Sequence, residues 1–185
     1  MGAFQGGIVV RKAIGVAVIA AVLAAVMYMP VTDAFVFAEA RSETPAIHYI
    51  RQSDGDRFVI RYTHSIHLSD VIETYEVTKD GKIRLLKMEY EDLAIGLPGH
   101  AEEGETFTAE DGRYTLEFEN RVLDSFVLFV ADIDTDLEFR YDGRVYNLKK
   151  QLERGSSYRF GLSKLSLFEL MKGVKMNGGQ SNQEG

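Results

Sequence analysis

The sequence predicts an all-β domain, an antiparallel sandwich or partly open barrel of about eight to nine strands, with an N-terminal transmembrane helix and a short C-terminal helix. Three observations predict it. A charge-free apolar run lies near the N-terminus, four Asp-Gly pairs punctuate the middle of the chain, and the stretches between those pairs are rich in β-branched and aromatic residues.

The apolar run is Ala13 to Met29, 17 residues without a charge, preceded by Arg11 and Lys12. As a helix it reaches about 26 Å, close to the hydrocarbon thickness of a bilayer. It is apolar all round rather than along one stripe, which argues against a core helix of a soluble protein. No cation follows before Arg41, so the positive-inside rule predicts a cytoplasmic N-terminus and an extracytoplasmic body. Ala38-Glu39-Ala40 has the small residues signal peptidase uses, but it lies well past Pro30, and an uncleaved single-pass anchor is favoured over a body secreted by cleavage near Ala40. The predicted division is an anchor and linker over residues 1–40, a β-domain over 41–174 and a disordered tail over 175–185.

The Asp-Gly pairs are Asp54-Gly55, Asp80-Gly81, Asp111-Gly112 and Asp142-Gly143, all read as hairpin turns because the dipeptide tolerates positive φ. They predict a meander with strands over Ala46–Gln52, Arg57–Ser65, Val71–Thr78, Lys82–Tyr90, Glu105–Ala109, Arg113–Glu119, Phe126–Ala131, Leu137–Tyr141 and Arg144–Lys149. Near the end, Ser166 and Glu169 form a capping box, Leu167, Phe168, Leu170 and Met171 supply an apolar side, and Gly173 can stop the helix.

Composition narrows the function. Across 185 residues the formal charge is −7 with no basic cluster, which disfavours nucleic acid as a partner. The chain has no Cys, so thiol catalysis, Cys-ligated zinc and disulfides are absent. No residue pattern points to a cofactor.

Reactive side chains are densest in Arg61-Tyr62-Thr63-His64-Ser65-Ile66-His67-Leu68-Ser69-Asp70, followed by Glu73 and Tyr75. Period two puts Phe58, Ile60, Tyr62 and His64 on one face and Val71, Glu73, Tyr75 and Val77 on one face of the next strand. A register pairing Ile60 with Val77 and Tyr62 with Tyr75 would set His64 opposite Glu73, within reach of a hydrogen bond. That pair reads either as a structural lock or, with Ser65, as the lining of a ligand or contact site. Ser65 and His64 point to opposite faces of a strand, which disfavours a Ser-His hydrolase and predicts a protein that is not an enzyme. His64 and His67 with Asp70 and His100 match no zinc spacing. Asp132, Asp134 and Asp136 offer alternating carboxylates, but without the glycine and terminal Glu of a calcium loop they read first as a solvated turn. Gly96-Leu97-Pro98-Gly99 reads as a turn whose angles need Gly and Pro.

Taken together, Arg61-Tyr62-Thr63-His64-Ser65, then Val71 and Glu73-Thr74-Tyr75, then Glu89-Tyr90 with Gly96-Leu97-Pro98, resemble the domain-of-unknown-function family 1850 (DUF1850) over about residues 45–170. The chain departs from that pattern at Asp70, where Pro is usual, and at Ala94, where Gly is usual. The resemblance implies a small membrane-targeted protein associated with tripartite ATP-independent periplasmic (TRAP) transporters of the TAXI type. It implies a partner, the permease or its solute-binding protein, and no catalytic residues. The alternatives are an independent ligand- or ion-binding module and, behind it, an exported hydrolase.

Overall fold

The structure is a computed structural model that describes residues 3–53, 55–65, 68–91 and 97–180. Helix α1 (Ala3–Tyr28) is followed after one residue by β1 (Pro30–Glu39), then β2 (Ile47–Arg51), β3 (Arg57–Thr63), β4 (Asp70–Val77) and β5 (Ile83–Tyr90). Next come β6 (Glu105–Glu110), β7 (Arg113–Leu123), β8 (Ser125–Phe129), β9 (Leu137–Tyr141) and β10 (Arg144–Asn147). A 3-10 turn (Leu148–Lys150) leads to β11 (Ser157–Ser166), α2 (Leu167–Lys172), β12 (Val174–Lys175) and β13 (Gly179–Gln180). The strands form two open sheets, a sandwich rather than a closed barrel. One has the order β12-β2-β1-β11-β8 and the other β13-β10-β9-β3-β4-β5-β7-β6. Among the described residues only β12 with β2 is parallel.

Between the sheets lies an aromatic core. Phe35 and Phe37 of β1 and Phe160 of β11 meet Phe58 of β3 and Phe139 of β9, and all five are at most 1% exposed. Their ring centroids lie 4.8–6.1 Å apart, mostly edge-on or tilted, the arrangement aromatic quadrupoles favour. The span Arg11–Tyr28 is wholly unburied, so among the described residues nothing covers this part of α1, which is long and apolar enough to cross a membrane.

Several expectations need correction. Residues 30–40, read as a linker, form β1, which pairs with both β2 and β11 at the centre of its sheet and buries Ala34, Phe35 and Phe37 completely. β11 also went unread. The tail is ordered through residue 180, with Met176 only 3% exposed and Gly178 lying so close to Tyr146 that a Cβ would fall 2.8 Å from its ring. Residues 181–185 lie outside the described residues. The chain is not one meander: β3-β4-β5 is, but β7 and β6 join beyond β5 and β9 and β10 join beside β3.

Asp111-Gly112 and Asp142-Gly143 have positive φ at both positions and close the β6–β7 and β9–β10 hairpins as expected. Gly81 likewise sits at φ 76 in the β4–β5 turn. Gly55 is different. The link after β2 passes from one sheet to the other, so no hairpin forms there, and Asp54 itself is outside the described residues. Tyr141 holds this crossing, its hydroxyl accepting from the Ser53 amide (2.9 Å) and donating to the Gly55 carbonyl (2.8 Å). The α2 capping box is present: Ser166 Oγ accepts from the Glu169 amide, while Glu169 accepts from the Ser166 amide.

Candidate functional site

Register decides the site. In the structure Ile60 pairs with Glu73 and Tyr62 with Val71, so His64 does not face Glu73. The expected pairing is displaced by four residues. An even shift leaves every side chain on its own face, so the hydrophobic pattern cannot tell the two registers apart. Loop closure and charge can. The observed register pairs Thr63 with Asp70 and shortens the connection to residues 64–69. It also puts Arg57 across from Glu76. Arg61 makes two charge-assisted hydrogen bonds to Asp70, at 2.9 and 2.7 Å, and lies 3.4 Å from both Asp136 and Glu138. Asp70, the departure from the family pattern, is thus the anchor of the turn that carries His64 and Ser65.

That turn is closed by the His64 amide on Ser69 O (2.8 Å) and the Leu68 amide on His64 O (2.9 Å). Leu68 takes φ 53 and is 71% exposed. The left-handed conformation costs a β-carbon about 1–2 kcal/mol, more than the roughly 0.5–1 kcal/mol of chain entropy that glycine would add. Leu68→Gly is therefore expected to raise unfolding stability by roughly 0.5–1 kcal/mol, read from the urea midpoint. A lower midpoint would mean that the side chain, despite its exposure, packs.

Glu73 does point inward, as expected, but its partners are tyrosines. It accepts from Tyr75 (2.5 Å) and Tyr62 (3.3 Å). Burial pushes its carboxyl above the ordinary glutamate value, and the two hydroxyls and the field of Arg121 only partly counter this. Burial, and then the Glu73 charge, drive both tyrosine hydroxyls upward as well. Tyr75 is stacked between Phe58 (5.0 Å) and Phe126 (5.5 Å).

Tyr62 also floors an open cleft of about 410 Å³ at one end of the sandwich. His64 and Ser65 form one lip of it, and Leu128, Phe129 and Ile133 form the apolar wall opposite. Larger hollows of about 560 and 520 Å³ lie over the polar hairpin tips at Asp111-Gly112 and Asp80-Gly81. The cleft is the apolar one, and Phe129 and Ile133 are 57% and 42% exposed in it.

The acidic loop closes the far side. Lys149, only 9% exposed, donates to Ile133 O (2.8 Å) and Thr135 Oγ1 (2.9 Å), and burial lowers its pKa. Asp134 lies 3.3 Å from Arg154 and Asp136 3.4 Å from Arg61. The chain's own cations thus occupy the positions around these carboxylates, and among the described residues no three His, Asp or Glu side chains gather as a metal site. His67 and Gly96 lie outside the described residues. Leu97 and Pro98 are at the same sheet end, where the Tyr90 hydroxyl donates to Pro98 O, but β4 separates that strand from β3. Sequence reasoning missed Leu128, Phe129 and Lys149, because β8 and the 3-10 turn reach the cleft only through tertiary packing.

Fold and site define a two-sheet β-sandwich with an apolar cleft at one open end, carried on a helix long and apolar enough to cross a membrane. More particularly, the chain carries a DUF1850 domain: residues 58–148, from β3 into the 3-10 turn, match the family model for that domain of unknown function. Neither a curated protein nor a solved structure matches the chain significantly.

Proposed function

We propose that this protein is a membrane-anchored, extracytoplasmic, non-catalytic accessory subunit of a TAXI-type TRAP solute transporter. In this reading the open end of the sandwich docks onto the permease or its solute-binding protein. Arg11 and Lys12 ahead of the apolar run support the orientation, with the body outside the cytoplasmic membrane. The observation that carries the reading is the cleft at the family-motif residues His64 and Ser65, walled by exposed apolar side chains.

The neighbouring edge favours a protein as the occupant. β8 ends its sheet, and because the Val130 amide bonds Ser156, alternation turns the backbone groups of Val127 and Phe129 toward the open edge. An edge strand with two exposed apolar side chains and no charge is a template for another strand. Phe129→Glu is expected to reduce co-purification with the permease and binding protein by about tenfold or more, as truncating an interface anchor does, with the melting temperature unchanged. A wild-type protein that purifies alone from native membranes in mild detergent would overturn the proposal.

The volume of the cleft also suits a small ligand, the second reading. Saturable heat on titrating the protein with small carboxylates, without co-purification of transporter subunits, would favour that reading instead.

A further inference from the structure

Beyond α1 and a few isolated positions such as Val122, the exposed apolar side chains gather in two places. One is the cleft. The other gathers where α1 enters the sandwich: Tyr28, Met29 and Val31 from the helix end and the start of β1, with Leu167, Phe168 and Met171 from α2. The Tyr28 and Phe168 rings lie 5.1 Å apart, which makes this patch continuous with the end of the apolar helix. Phe168 and Met171, three residues apart, share one side of α2. Leu170 turns the other way, packing against the buried cluster of Ala34, Tyr49 and Leu165, while its carbonyl accepts from the Tyr49 hydroxyl. Thus α2 is fastened to the sheet by one side and leaves the other bare, with Met171 78% exposed.

Only Met29 separates α1 from β1, so no linker holds the body away from the helix. The charge near the patch also departs from that of the chain. Lys164, Lys172 and Lys175 lie beside two acids, Glu169, which is occupied in the capping box, and Asp33, 3.9 Å from Lys164, whereas the whole chain carries −7.

We infer that the Tyr28/Leu167/Phe168/Met171 patch is a lipid-binding foot, seated in the headgroup region of the bilayer that α1 crosses, with the flanking lysines toward anionic headgroups. An amphipathic surface helix with cations beside its apolar side has the chemistry of an interfacial segment, and Tyr28 is of the residue type enriched at that level. The geometry has a consequence for docking. β1 starts at the foot with Pro30, which pairs with Ser166, and after 10 residues ends at Glu39, which pairs with Tyr158. Phe129 pairs with Ser157 just beyond. The cleft therefore lies at the opposite end of the same strands, about 30 Å along them.

This rests on the membrane-anchor part of the proposed function, and the experiment separates the two. The chain has no Trp, so a single substitution reports its own surroundings. The full-length protein carrying Met171→Trp is reconstituted into vesicles of phosphatidylcholine with a minority of phosphatidylglycerol, with or without bromine on the acyl chains. Phe129→Trp serves as the control. The expected result is flotation with the vesicles, blue-shifted emission for Met171→Trp and loss of about half its intensity to bromine, with Phe129→Trp unaffected. Protein that does not float overturns both the anchor and the foot. Flotation with Met171→Trp quenched no more than Phe129→Trp overturns the foot alone. Blue-shifted emission without quenching assigns the patch to a protein contact and also overturns it. Leu167→Trp provides the same readout should position 171 not tolerate the indole.

Discussion

A body that starts at Arg41 is expected not to fold, whereas one that starts at Pro30 is expected to fold and melt cooperatively. The reason is β1. It is flanked on both sides in its sheet and brings Phe35 and Phe37, neither with any exposed surface, into the aromatic core. Phe35 alone meets Phe58, Phe139, Tyr141 and Phe160 at ring separations of 4.8–6.1 Å. Truncating a buried Phe costs about 3–5 kcal/mol, so losing both costs roughly 6–10 kcal/mol before the hydrogen bonds of β2 and β11 are counted. A small domain has about 5–15 kcal/mol in total. Near-ultraviolet circular dichroism and thermal melts of the two bodies check this, and a cooperative melt of the shorter one would refute it. The same argument bears on processing. Cleavage after Ala40 would remove the central strand from the domain it released, so the fold argues against cleavage at that site.

The contrast between α1 and β1 shows what was legible. α1, the middle strands, three Asp-Gly hairpins and the α2 capping box are written in local signals: an unbroken apolar run, alternation, a turn dipeptide, and Ser and Glu three apart. β1 has alternation too, with Phe35 and Phe37 two apart, but it follows the apolar helix after one residue and ends in an Ala-Glu-Ala that resembles a cleavage site. The two-residue strands β12 and β13 exist only because β2 and β10 accept them. At Leu86 the pairing of β5 shifts, so Leu85 and Met88 come to face the same way. No periodicity reports such a bulge.

The candidate site divides along the same line. That Glu73 and Tyr75 share a face was legible from their spacing, and so was the need of Glu73 for a polar partner. That the partners are Tyr62 and Tyr75 rather than His64 depended on a register which the apolar pattern leaves open. The cleft was less legible still, since its two lips come from residues 62–65 and from residues 128–137 with Lys149. His64 and the Asp132 to Asp136 loop looked like separate candidates in the sequence, yet they border one opening.

Glu73→Gln is expected to stabilise the protein at neutral and alkaline pH and to remove part of its pH dependence. The folded-state pKa of Glu73 lies above its unfolded value because burial disfavours the carboxylate. Below the unfolded value the carboxyl is protonated in both states and imposes no penalty. As the pH rises past it, the unfolded chain ionises first, so stability falls until the folded carboxyl also ionises and is flat beyond. A glutamine of the same shape still accepts from both tyrosines and never ionises, so its advantage should open across that window and then stay constant. Tyr75→Phe should act in the opposite sense. It removes a hydrogen bond to a charged group, worth about 1.5–3 kcal/mol where Glu73 is ionised and nearer 1 kcal/mol in acid, where Glu73 is neutral. Urea unfolding of both variants and the wild type from acid to alkaline pH measures these differences. Equal stability of Glu73→Gln and wild type at every pH would mean that Glu73 is solvated as freely in the fold as in the open chain. Tyr62 could then no longer be treated as linking the cleft to a buried ionisable group.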